Sequence, residues 1–400
     1  MRSSARPLRT RLRAVSMALA FAIMLLSALA ATPAAQAQSY KVLYNFTGGS
    51  DGGNPVWVTL VQDKAGNLYG TTNSGGAYGY GTVFKVTKSG TETVLYSFTG
   101  GADGANPQSG LVLSGNTVYG TTDYGGSGNA NAGYGVVFEV SIKTGAETVL
   151  YTFGGGSDGA NPGAGLVRDK KGNLYGTTYG GGISGDGTVF EVVPKTKTET
   201  VLHSFDYSDG AYPESGLTLN TTEKILYGTT PDGGATGWGV VFSVTIESAA
   251  YSVLYSFKVS SNGAIIPFGT MALDPKGNLY GTTQFGGAGG FGTVFEVVPR
   301  TKKETVLYGF SGGADGGYPF GGVIRNSNGT LYGTTYTGGA NSDGTVFELV
   351  KGTESVLHSF DGSDGADPVG GLLRDSKGHL YGTTSAGGSY GWGVVWEITP

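Results

Sequence analysis

The chain has 400 residues, no cysteine and three histidines, with 25 Lys and Arg against 30 Asp and Glu. This composition excludes a disulfide framework and argues against histidine-rich metal centres and Ser-His or Cys-His catalysis. The acidic balance argues against nucleic acid as a partner.

In chain order, Arg2, Arg6, Arg9, Arg11 and Arg13 precede an apolar run from Ala14 to Ala31, and Ala35-Gln36-Ala37 follows. Basic, apolar and small residues in that order predict a secretory signal peptide over residues 1–37, cut after Ala37. An uncleaved anchor is the alternative, because the apolar run approaches spanning length. Cleavage would leave 20 basic and 30 acidic residues in 38–400 and a net charge near -10. The expectation is a secreted or periplasmic protein with no stable membrane insertion after cleavage.

From Leu68 onward the string LYGTT, or a near copy, returns seven times. Its tyrosines are Tyr69, Tyr119, Tyr175, Tyr227, Tyr280, Tyr332 and Tyr381, a period near 52 residues that decides the architecture. The copy from Gly165 to Phe205 shows four short runs, GLVRD, NLYGTT, GTVFEVV and TVLHSF, each bounded by Gly, Asp, Asn or Pro. Runs of this kind are strands, and no stretch after residue 37 carries helical apolar spacing. Asp-x-x-Gly-Asn between the first two strands (Asp63 to Asn67, Asp169 to Asn173, Asp274 to Asn278) predicts a hairpin with positive φ at Gly and Asn. Units are linked by a turn with Asp-Gly at Asp51, Asp103, Asp158, Asp209, Asp315 and Asp364, and Asn262 in the remaining copy. A proline follows at Pro55, Pro107, Pro162, Pro213, Pro267, Pro319 and Pro368.

Seven four-stranded units predict an all-β, seven-bladed β-propeller, a single domain over residues 38–400, with GLVxD innermost and VLYSF outermost. A β-solenoid is the competing architecture, and the ends decide against it. The chain opens after residue 37 with a lone fourth strand, Val42 to Phe46, and closes at Gly371 to Thr399 with three strands lacking a fourth. The two fragments complete one blade and remove the open edges.

On the string LYGTT…GG…GTVFEV…ETVLYSF the chain resembles the GloVer tandem repeats of exported bacterial proteins. The resemblance implies export and a propeller-like fold, and supplies no activity or catalytic residue. The chain stops at Pro400 without a sorting tail, so a soluble protein is expected rather than an anchored one.

The Gly-rich loop before the third strand and the link turn are expected on one face. The residue preceding the third strand's Gly is Tyr80, Tyr134, Asp186, Trp238, Phe291, Asp343 or Trp392. Five aromatics and two acids on a wet rim suit stacking on sugar rings, so these seven are the candidate ligand-binding residues. Aromatics covering blade edges would look the same. The position after the Thr pair varies (Asn73, Asp123, Tyr179, Pro231, Gln284, Tyr336, Ser385), which points to asymmetric recognition or to drift.

The Asp of the link turn is read as a cap of its own turn rather than a calcium ligand, since one acid stands among glycines. His203 and His358 replace the Tyr of VLYSF, and His379 replaces the Asn of GNLYG. The glutamates of the outer strand (Glu92, Glu147, Glu199, Glu304, Glu354) and of the third strand (Glu139, Glu191, Glu296, Glu348, Glu397) are expected to be solvated. The functional expectation is a monomeric binding or scaffold module for extracellular carbohydrate or protein, with no catalytic residue, metal or cofactor. The alternative is a carbohydrate-active enzyme using the non-consensus acids Asp123, Asp186, Glu214, Asp232 or Asp343. A cleft holding two carboxyls of raised pKa would favour that alternative.

Overall fold

The computed structural model of the protein describes residues 38–126, 133–259 and 263–399. The leader expected over residues 1–37 and the Asn262 copy of the link turn lie outside them. Tyr40–Thr399 forms one compact unit.

Among the described residues the strands make seven four-stranded antiparallel sheets and no helix. Blade 1 runs outward from the axis as Val61–Gln62, Leu68–Thr72, Thr82–Val86 and Glu92–Ser97. Blade 7 is built from both ends of the chain. Leu373–Arg374, Leu380–Thr384 and Val394–Thr399 are covered on the outside by Ser39–Asn45, and the Phe46 N–H donates to the Gly393 carbonyl at 3.0 Å. The propeller and its closure are as the repeat predicts.

The chemistry of LYGTT explains its recurrence. Leu68 packs into the core, and the Tyr69 hydroxyl donates to Asp63 Oδ2 at 2.9 Å. Asp63 also accepts from the Asn67 backbone and side-chain amides at 2.9 and 2.8 Å. Gly66 takes φ +87°, as a tight turn demands, whereas Asn67 stays out of that region and serves as the donor instead. A Cβ on Gly70 would lie 2.7 Å from Phe84 Cζ, so glycine makes room for the ring of the next strand. The Thr71 hydroxyl donates to the Ser109 carbonyl of blade 2 at 2.9 Å, and the last copy closes the ring from Thr383 to Pro55 at 3.3 Å.

A second lock joins neighbouring blades at the link. The residue before each link proline has positive φ in every blade: Asn54, Asn106, Asn161, Tyr212, Ile266, Tyr318 and Asp367, between 51° and 59°. Asn tolerates this conformation, and here it adds a bond. The side-chain amides of Asn54, Asn106 and Asn161 donate to Ser385, Asn73 and Asp123 carbonyls of the preceding blade at 2.8 to 3.0 Å.

The link aspartate caps its turn. Asp51 accepts from the Thr47 N–H at 2.9 Å, from the Thr47 hydroxyl, and from the Tyr44 hydroxyl at 2.9 Å.

The glutamates correct the expectation of solvated strands. Glu92, Glu147, Glu199, Glu304 and Glu354 are half-buried, each with one carboxyl oxygen sealed from water and unpartnered. Each of four faces the link that precedes its blade, which sets it near a link aspartate: Asp51, Asp103, Asp158 or Asp315. Burial, reinforced by the aspartate charge, pushes Glu92, Glu147, Glu199 and Glu354 up to about 7. Among the third-strand glutamates, Glu191, Glu296 and Glu397 each accept a tyrosine hydroxyl of LYGTT at 2.9 Å.

At two boundaries the pair is exchanged as a unit. Where His203 and His358 replace the outer-strand tyrosine, Tyr251 and Tyr40 replace the facing glutamate of the next blade. Each stacks on its histidine at 3.7 Å, while the histidine bonds the link aspartate at 2.8 Å.

Candidate functional site

The link and the loop before the third strand meet on one face through short bridges such as Gly53 to Ser74 and Ala105 to Tyr124. That face surrounds a central channel of about 470 Å³ lined by the first strands of the blades. Beside its mouth, across blades 2 to 4, opens a cleft of about 300 Å³.

Why the cleft lies there follows from the residue after each link proline. These residues surround the mouth, and in blades 2, 3 and 4 they are Gln108, Gly163 and Glu214, whereas blades 5, 6 and 7 present Phe268, Phe320 and Val369. Gly163 has no side chain between Gln108 and Glu214. A Cβ there would meet only Asp123 Oδ1, at 3.7 Å, so the missing side chain is the open space of the cleft.

Two carboxyl groups face that space. Asp123 is half-buried, accepts from Gln108 Nε2 at 2.9 Å, and is pushed up to about 6 by desolvation. Glu214 is exposed, yet the protein atoms crowding its concave surroundings push it up to about 7, with smaller contributions from the Asp232 and Asp123 charges. Burial also raises Asp232. Desolvation dominates in all three, and no lining residue of the cleft is basic. Tyr124, Tyr179 and Trp57, each about two-fifths exposed, form its walls, and Tyr179 stacks on Tyr212 at 5.1 Å.

Of the acids singled out by their departure from the repeat, Asp123 and Glu214 come together here and Asp232 stands near them. Asp186 and Asp343 do not line the cleft. The seven rim positions sit one per blade. In every copy the backbone carbonyl accepts the N–H of the residue before the next link proline, from Asn106 to Tyr80 at 2.9 Å through Asn54 to Trp392 at 2.9 Å. The side chains of Tyr80, Tyr134, Phe291 and Trp392 cover link glycines, and Trp238 and Trp392 keep about two-fifths of their surface exposed. None of the seven lines the cleft.

Sequence reasoning singled out Glu214 but passed over the other post-proline residues and Trp57. The available signal was a spacing: Leu60 lies five positions after Pro55, whereas Leu111 and Leu166 lie four after Pro107 and Pro162. Among the described residues no group of three or more His, Cys, Asp or Glu is arranged to hold a metal ion.

Fold and site together define a seven-bladed β-propeller with an asymmetric acidic cleft beside its central channel. The chain belongs to the Gloeobacter/Verrucomicrobia repeat family, whose model matches residues 31–235 and 221–400. No curated protein matches the sequence. Similar solved structures include an oligogalacturonate lyase in complex with manganese, at 13% identity and TM-score 0.54, covering 87% of this chain and 89% of that one. An oligogalacturonate lyase from Vibrio parahaemolyticus matches at 11% identity and TM-score 0.51, covering 91% and 94%. At these identities the likeness is one of fold.

Proposed function

We propose that this propeller binds carbohydrate in the cleft between blades 2 and 4, as an exported protein whose leader is residues 1–37. The observation that carries the reading is the pair Asp123 and Glu214, held between Tyr124, Tyr179 and Trp57 in a concave site. Carboxyls accept or donate hydrogen bonds to sugar hydroxyls while the rings stack on apolar sugar faces. The lack of a basic lining residue favours neutral sugars over the uronates named for the similar folds. Trp238 and Trp392, with the other rim positions Tyr80, Tyr134, Asp186, Phe291 and Asp343, are outer contacts for longer chains.

Purified residues 38–400 titrated with neutral oligosaccharides should show saturable thermal stabilisation. Gly163→Val fills the cleft and should abolish it, and oligogalacturonate should give none. A shift that survives Gly163→Val, or no shift with any neutral glycan, overturns the reading.

A second reading, glycosidic cleavage, is supported by two carboxyls, both raised by desolvation, that face one cleft, as an acid and a base would. It predicts new reducing ends from the bound oligosaccharide, lost in Glu214→Gln with binding retained. A bound glycan recovered intact leaves the protein a binder.

A further inference from the structure

The mouth of the channel is chemically divided, and its apolar side has no part in the sugar cleft. Phe268 and Phe320 meet edge to face at 5.4 Å, and Phe320 meets Tyr336 in the same way at 5.4 Å. Trp57 joins the two sides, since it lines both the channel and the cleft, as do Gly163 and Glu214.

Trp57 is there by insertion. It belongs to the segment that is one residue longer in blade 1 than in the other six, and it sits at φ +54° with 41% of its surface exposed. A bulky residue at positive φ is strained, and here about two-fifths of the side chain stays in solvent, so packing alone does not account for it. Strain that holds a part-exposed ring against two cavities has the character of a binding element.

We infer that the channel mouth is an aglycone subsite, so that the preferred ligand is an aryl glycoside: a sugar in the cleft carrying a planar aromatic group between Trp57, Phe268 and Phe320. The inference rests on the sugar reading of the cleft. An aromatic group is favoured over an alkyl chain because rings concentrate at the mouth, where edge-to-face and stacked contacts are available to a flat guest. The rest of the channel lining is largely backbone and aliphatic, with Gly110, Gly165 and Gly216 among its residues.

The test is calorimetry on residues 38–400 with matched methyl, octyl and phenyl glycosides of glucose, galactose, mannose and xylose, and with phenol alone. The phenyl member of the binding pair should bind at least about 10-fold tighter than the methyl member, the gain expected from one aromatic contact with its burial. Deleting Trp57 restores the spacing of the other blades. That variant removes a wall of the cleft as well and should weaken the methyl glycoside too, whereas Phe268→Ala and Phe320→Ala, each checked for an unchanged fold by circular dichroism, should bring the ratio close to one while the methyl glycoside keeps its affinity.

Equal affinity for methyl and phenyl glycosides, an octyl preference, or a ratio untouched in both phenylalanine variants overturns the aglycone subsite and leaves the sugar cleft standing. Phenol binding as tightly as the phenyl glycoside, with no methyl glycoside bound, overturns the sugar reading and the glycoside ligand together. Absence of binding by every probe does the same.

Discussion

Replacing Phe46 by alanine tests whether the two ends of the chain are held by core packing. Phe46 is fully buried and shares a cluster with Leu60 and Phe84 of blade 1 and Val395 of blade 7. Its ring meets Phe84 edge to face at 5.1 Å. Removing a buried phenylalanine costs about 3–5 kcal/mol through lost transfer energy and the cavity left behind. For a ring of this size that lowers the melting temperature by roughly 5 °C. Phe205 is the internal control. It holds the same repeat position, is equally buried, and meets Phe242 at 5.2 Å, but its strand is continuous with its own blade. If closure is a full structural boundary, urea midpoints for Phe46→Ala and Phe205→Ala should fall by amounts matching within about 1 kcal/mol, with equal slopes. Deleting Tyr40 to Phe46 should then destabilise the whole ring. Unchanged unfolding in Phe46→Ala beside a large loss in Phe205→Ala would refute the reasoning.

Ile266 is a β-branched residue at φ +59°, where the equivalent position in blades 1 to 3 is asparagine. Ile266→Asn should stabilise by about 1 kcal/mol, read as a higher urea midpoint, by relieving the backbone and offering an amide to the preceding blade. A lower midpoint would sink that account. The outer glutamates make stability depend on pH. Their folded pKa values lie above the usual carboxylate value, so their contribution is fully present below about 4.5 and is lost as pH rises through about 7. Asp123 and Glu214 act in the same sense. His358, lowered by burial, opposes them as one group against several. Melting temperature should therefore fall between pH 5 and pH 8, and glutamine at positions 92, 147, 199 and 354 should flatten the profile. A melting temperature that rises over that range would contradict the burial of these carboxyls.

Much of this protein was legible from the chain alone, because a repeat forces each copy to solve the same packing problem. The period of LYGTT set the number of blades, the strand runs set four per blade, and the split final copy set how the ring closes. Asp51 and its equivalents were legible as turn caps for the same reason: their partners lie a few residues away, at Thr47 and Tyr44. What tertiary structure alone decided concerns contacts between copies. The outer glutamates look like solvated strand residues in one unit, and only the neighbouring blade buries them. Asp123 and Glu214 stood out as departures from the repeat, but 91 positions separate them. Their meeting depends on Gly163 being empty between them, and Trp57 showed only as one extra residue in a linker. Local periodicity specifies a blade, whereas a site at the axis is assembled from one residue of each of several blades, and no local pattern records which of them face each other.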